Sequence, residues 1–205
     1  MGAFLLILAG QLTLLAKEDA PAPPAVGARV RDFTLQDIDG QARSLGDYRN
    51  KNAVAIVFVG NDCPLANLYI PTLAEMHQKY SAKGIQFLAI NSNDQDAFAE
   101  VSAHARDRKV PFPVLKDSDH RAAVALGASR TPEAFLLDSE RTIRYSGRID
   151  DQYGYTYRRA SPTHTELKDA IEQLLARRPV IVSHTEVQGC VIGGIKKESP
   201  NNSKR

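Results

Sequence analysis

Ala53-Val54-Ala55-Ile56-Val57-Phe58-Val59 runs directly into Gly60-Asn61-Asp62-Cys63-Pro64, and then into Leu65, Leu68, Tyr69, Leu73, Met76 and Tyr80. The first seven residues are apolar without a break and rich in β-branched side chains. A short run of that kind, with no polar alternation, describes a strand covered on both faces. The later apolar residues recur every three to four positions, which describes one face of a helix. Pro64 suits the first turn of that helix and Gly84 falls just past its end. The stretch therefore reads as strand, tight junction and helix, with a cysteine at the junction.

Working outward, Ile85–Ile90 is a second buried strand, and Phe98, Val101 and Ala105 mark a second helix. Phe112–Leu115 reads as a short strand, and Asp119 is placed to cap a helix over Arg121–Leu126. Glu133–Leu137 and Thr142–Tyr145 are strands around a turn at Asp138–Arg141. Thr163-x-x-Glu166 has the form of a capping box for a helix carrying Leu167, Ala170, Ile171, Leu174 and Leu175, which stops before Pro179. Upstream, Phe33–Leu35, the Asp39-Gly40 turn and Ala42–Leu45 form a hairpin. The core order is β-α-β-α-β-β-α, an α/β fold with a central mixed sheet flanked by helices, an N-terminal hairpin and a C-terminal extension. Short crossovers make the first two strands parallel, and a hairpin makes the last pair antiparallel.

The 205 residues hold 26 basic and 24 acidic side chains, a formal charge of +2, with 43% apolar and 24% charged residues. That balance gives no field for a polyanion, so nucleic acid is not an expected partner. Ala3–Leu15 is almost continuously apolar, too short for a membrane span and suited to the core of a signal peptide. No Lys or Arg precedes it, and Ala16, Ala20 and Ala22 are candidate cleavage sites. The expected organisation is a signal peptide over 1–22, a domain over 23–180, and an extension over 181–205 with Cys190 and a polar tail. The expected location is periplasmic or secreted, without stable membrane insertion after cleavage.

Two cysteines, Cys63 and Cys190, cannot make a disulfide-rich scaffold, and no C-x-x-C is present. Any thiol chemistry rests on single cysteines or on this one pair. Cys63 stands where a helix begins, and the free N–H groups and partial positive charge there favour a thiolate, which is the nucleophilic form. Asp62 beside it opposes ionisation unless it points to solvent. His77, His104, His120, His164 and His184 are scattered, and a copper site would want a second nearby cysteine; no metal or cofactor is expected. Arg148–Tyr153 either lines the active face, with Arg148 placed to touch substrate, or forms a solvated loop. Asn91–Asp94 ends a strand on the side of Cys63, and is equally an ordinary helix cap.

Three segments together resemble the thioredoxin superfamily, within it the redoxin branch of alkyl hydroperoxide reductases and thiol-specific antioxidant proteins. They are Asp32-Phe33-Thr34-Leu35 with Asp39-Gly40 and Leu45-x-Asp47-Tyr48; Val54–Val59 with Asn61-Asp62-Cys63-Pro64-Leu65 and Pro71; and Phe112–Asp117 through Thr131-Pro132 to Phe135–Asp138. The resemblance implies a thioredoxin-like fold and thiol-dependent reduction of peroxides or protein disulfides, with an external thiol reductant. It implies Cys63 as the catalytic thiol, Thr131-Pro132 as a cis-proline beside it, and Pro64, Thr131 and Pro132 as substrate-binding positions, joined by Arg148. Two departures stand out: Ala66 occupies the place of thioredoxin's second cysteine, and Gly60 occupies the place of the usual peroxiredoxin Thr or Ser. Cys190, among glycines, is open to three roles: a resolving thiol for oxidised Cys63, half of a static staple, or a contact with another protein. The rival to a redox enzyme is a non-catalytic thioredoxin-fold module that binds proteins around Pro132.

Overall fold

A computed structural model describes residues 25–194, so the expected signal peptide and the tail from residue 195 onward lie outside the described residues. The hairpin is formed by Thr34–Asp37 (β1) and Ala42–Ser44 (β2), with Thr34 opposite Ser44 in antiparallel register. Ala53–Phe58 (β3) follows, then Pro64–Tyr80 (α1), Ile85–Asn91 (β4), Phe98–Asp107 (α2), Val114–Lys116 (β5) and Arg121–Leu126 (α3). Arg130–Thr131 (β6), Glu133–Asp138 (β7), Ile143–Gly147 (β8), Glu166–Leu175 (α4) and Cys190–Val191 (β9) complete the order. Seven strands form one sheet in the order β2-β1-β5-β4-β3-β7-β8, while β6 and β9 pair separately.

All six residues of β3 are buried. It lies between parallel β4, the relation expected from the sequence, and antiparallel β7; the β7–β8 pair is antiparallel, as its hairpin implied. Because successive strand side chains point to opposite faces, β3 feeds two cores. Ala53, Ala55 and Val57 meet Tyr69, Leu73 and Met76 of α1, together with Leu167 and Ile171 of α4. Val54, Ile56 and Phe58 meet Leu35 and Leu45 from the hairpin side and Ala122 and Leu126 of α3. Pro71 sits inside α1 with its ring outward, where the missing N–H and the kink are tolerated.

Two helix starts differ from the sequence reading. Asp119 does not cap α3; it pairs with Arg121 in solvent. His120, in the left-handed region at φ 57°, turns the chain between Asp119 and the helix. The cap is the buried Asp117 carboxylate, which accepts from Ala122 N (3.2 Å) and Ala123 N (3.0 Å). Nor do Thr163 and Glu166 form a capping box. Thr163 donates its N–H and hydroxyl to buried Asp151, and Glu166, already the first residue of α4, pairs with Arg148. Long-range partners outcompeted the local motif.

Candidate active site

Cys63 is the N-cap of α1, held with φ −80° and ψ 107°. Its thiol donates to Thr131 O at 2.9 Å, and Ala66 N approaches the sulfur at 3.4 Å. Thr131 is joined to Pro132 by a cis peptide bond, as the resemblance implied. The residue opposite Thr131 in the β6–β9 pair is Cys190, so one carbonyl-bearing residue touches the first thiol and stands in register with the second. Both cysteines are reduced.

Cys63 is 3% exposed, and burial is the largest influence on its thiol, acting against ionisation. The Thr131 side chain, the Cys190 thiol and the backbone N–H groups of Ala66 and Cys190 outweigh that burial and hold the Cys63 thiol below its ordinary range. Among the described residues Thr131 Oγ1 has no hydrogen-bond partner, which leaves its hydroxyl free for a thiolate. Cys190 moves oppositely: burial, then its hydrogen bond to Cys63 and the repulsion of a second negative sulfur, push it up to about 11. Asp62 is exposed, and the leading influences on Cys63 come from burial, Thr131, Cys190 and Ala66.

The junction is braced by polar groups at the ends of β4 and β5. Asp96 accepts from Asn61 N (3.1 Å), Asn91 Nδ2 (2.7 Å) and Asn93 Nδ2 (3.2 Å). Buried Lys116 donates to Asn93 O at 2.6 Å and to Asn91 Oδ1 at 3.2 Å, and burial depresses its ammonium. Asn91–Asn93 is thus an internal bracket rather than a helix cap; α2 begins after Ala97. The bracket also explains Gly60. A Cβ there would lie 2.4 Å from Asn93 Nδ2, so the Thr or Ser of a typical peroxiredoxin does not fit.

The structure gathers Cys63, Thr131, Pro132 and Cys190 at one point, with Pro64 exposed in the first turn beside them. Arg148 is not aimed at the thiols. It pairs with buried Glu166 and lines a cleft shared with Pro132, Tyr69 and Asp150. The expected solvated loop after it is internal instead: Ile149, Asp150 and Asp151 are buried, and Tyr69 donates to Asp150 Oδ1 at 2.6 Å. The sequence reading missed Asp96, Lys116, Arg130 and Tyr155; the last three bond to residues distant in sequence, and Asp96 joins its near neighbours Asn91 and Asn93 to distant Asn61, so none leaves a recognisable local pattern. Lys116 was visible only as part of the family resemblance.

Residues 26–146 match the AhpC/TSA family. The chain belongs to the AhpC/TSA family. Its thioredoxin-like fold and its character as a thiol-dependent oxidoreductase of the redoxin type go with that membership. The AhpC/TSA chain is 29% identical over 120 residues to the thiol-disulfide oxidoreductase ResA of Geobacillus thermodenitrificans, spanning 58% of this chain and 67% of the relative. A hypothetical protein from Sinorhizobium meliloti 1021 superposes with a TM-score of 0.75 at 31% identity, over 83% of this chain and 95% of that one. Peroxidoxin BcpB from Mycobacterium tuberculosis shares the fold at a TM-score of 0.54 and 17% identity, over 74% and 94% of the two chains.

Proposed function

We propose that Cys63 and Cys190 are the working redox pair, Cys63 as attacking thiolate and Cys190 as resolving thiol, and that the pair reduces disulfides of partner proteins outside the cytoplasm. The observation that carries this is the pairing of Cys190 with Thr131, the residue whose carbonyl receives the Cys63 thiol proton. The opposed shifts of the two thiols support the same division of labour, since the lower one attacks first. The Cys63 thiolate attacks one sulfur of the partner disulfide, and the other partner sulfur leaves as a thiolate. Cys190 loses its proton to solvent and attacks Cys63, releasing the second partner thiolate and closing a Cys63–Cys190 disulfide. An external dithiol then reduces that disulfide. Similarity to a thiol-disulfide oxidoreductase, and the apolar segment Ala3–Leu15, support the substrate class and the location.

A second reading, peroxide reduction, is favoured by the burial of Cys63, which a small oxidant reaches more readily than a protein does. Cys63 would then displace alcohol or water from the O–O bond and become a sulfenate, which Cys190 converts to the disulfide with loss of water. The test is a Cys190→Ser chain challenged separately with oxidised insulin and with hydrogen peroxide. A trapped mixed disulfide on Cys63 is expected; a dimedone adduct formed only with peroxide would move the assignment to the second reading. A Cys63→Ser chain that retains both activities would end the redox assignment.

A further inference from the structure

Residues 188–194 cross the site as a strap whose contacts are unequal along its length. Gly189 is buried, and a Cβ on it would lie 2.1 Å from Thr131 O, so only a residue without a side chain fits. Its N–H donates to Tyr155 Oη (2.8 Å), and its carbonyl accepts from the Tyr155 hydroxyl (2.7 Å) and the Arg130 guanidinium (2.9 Å). Val191 is 60% exposed, whereas Ile192 is 2% exposed and enters the core on the Val54–Phe58 face. Ile192 N donates to Ser129 O at 3.0 Å, and Gly193 N donates to Asn93 Oδ1 at 3.2 Å. The domain therefore holds the strap by its backbone and reads side chains at two places: nothing before the cysteine, and a branched apolar group two residues after it. Backbone pairing for affinity, with alternate side chains in pockets for specificity, is how strand-addition sites hold extended peptides.

We propose that this groove recognises an extended polypeptide carrying a disulfide-bonded cysteine in a Gly-Cys-x-Ile-like context. Residues 188–194 are an internal copy of that ligand and must lift before the partner binds. The proposal rests on the reading of Cys63 as attacking thiolate. While the strap is docked, the competent groove is a minority state, and a partner's apparent affinity falls by that fraction.

The test uses the full chain with Cys190→Ser, which cannot resolve a mixed disulfide. The probes are the peptide Gly-Cys-Val-Ile joined by a disulfide to a chromogenic aromatic thiol, and the small symmetric disulfide of that aromatic thiol. The Cys63 thiolate attacks the peptide sulfur, the bond to the aromatic sulfur breaks, and the coloured thiolate leaves with the electron pair. Gly189→Ala and Ile192→Ser are added singly, one blocking the strap by a clash and the other by loss of its buried side chain. Each is expected to raise the rate on the peptide relative to the small disulfide about tenfold, the shift that losing one buried aliphatic group produces. A peptide with Asp in place of Ile is expected to react about tenfold more slowly than the original. An unchanged rate ratio in both variants, equal reaction of the two peptides, or protection of the residue-192 amide from hydrogen exchange in both variants would each overturn the proposal while Cys63 still consumes the small disulfide. A Cys63 inert to both probes would instead remove the redox reading, and this proposal with it.

Discussion

Ionising Cys63 puts charge on an atom walled in by protein, and the donors that make this possible come from three separate parts of the chain: Ala66, Thr131 and Cys190. Their loss has a defined sign. Cys190→Ala removes the thiol that favours the Cys63 thiolate, so the midpoint of the pH profile for Cys63 alkylation by iodoacetamide is expected to move upward; a midpoint that stays or falls contradicts the geometry described. The shift also orders events within the pair. In the proposed cycle an oxidised Cys63 carries no thiolate, one cause of the raised Cys190 value disappears, and Cys190 would become easier to ionise for its attack. Asp96 is a second residue with a sharp expectation. Asp96→Ala would leave the N–H groups of Asn61, Asn91 and Asn93 without their acceptor, a loss of about 2–4 kcal/mol in urea unfolding at roughly 1–3 kcal/mol per stranded buried group with partial relaxation. Gly60→Thr is expected to lower stability by about 1–3 kcal/mol, the usual cost of overpacking, because its Cβ meets Asn93; it should not gain peroxidase activity in a ferrous-xylenol assay.

Elements with a strong period were legible in the sequence. The β3 run and the α1 face sit within a residue or two of where their patterns put them, because burial on two faces and on one face leave different spacings. The two-residue strands β6 and β9 were not legible, since two residues carry no period and their pairing joins Arg130 to Val191 and Thr131 to Cys190, far apart along the chain. Cys190 could be suspected of folding back only through its glycine neighbours. Helix starts failed for a related reason: Asp119 and Thr163 have the right local chemistry, but Asp117 reaches the first N–H groups of α3 from a better position, and Asp151 takes the N–H and hydroxyl of Thr163 itself. This gives a paired prediction. Asp117→Ala removes the acceptor for two helix N–H groups and for the Ser92 hydroxyl and is expected to cost about 2–3 kcal/mol. Asp119→Ala, which loses a pair with exposed Arg121, is expected to change stability in urea by less than about 0.5 kcal/mol.

For the molecule as a whole, a Cys63–Cys190 bond would close a loop running through most of the domain. A loop of roughly a hundred residues or more is worth up to about 4–5 kcal/mol in restricted unfolded-chain entropy. Oxidised protein is therefore expected to melt higher than reduced protein by differential scanning calorimetry, and the difference should vanish in Cys190→Ser. The contacts on either side of Cys190, Tyr155 on Gly189 and Ser129 on Ile192, have one more consequence. They tether the second thiol beside the first at an effective concentration that a dissolved thiol does not approach. A monothiol such as glutathione that opens the bond would be expelled by the neighbouring sulfur faster than a second molecule could arrive. A dithiol would finish the exchange within the same encounter, so recycling of this protein should depend on a donor that brings its two sulfurs together.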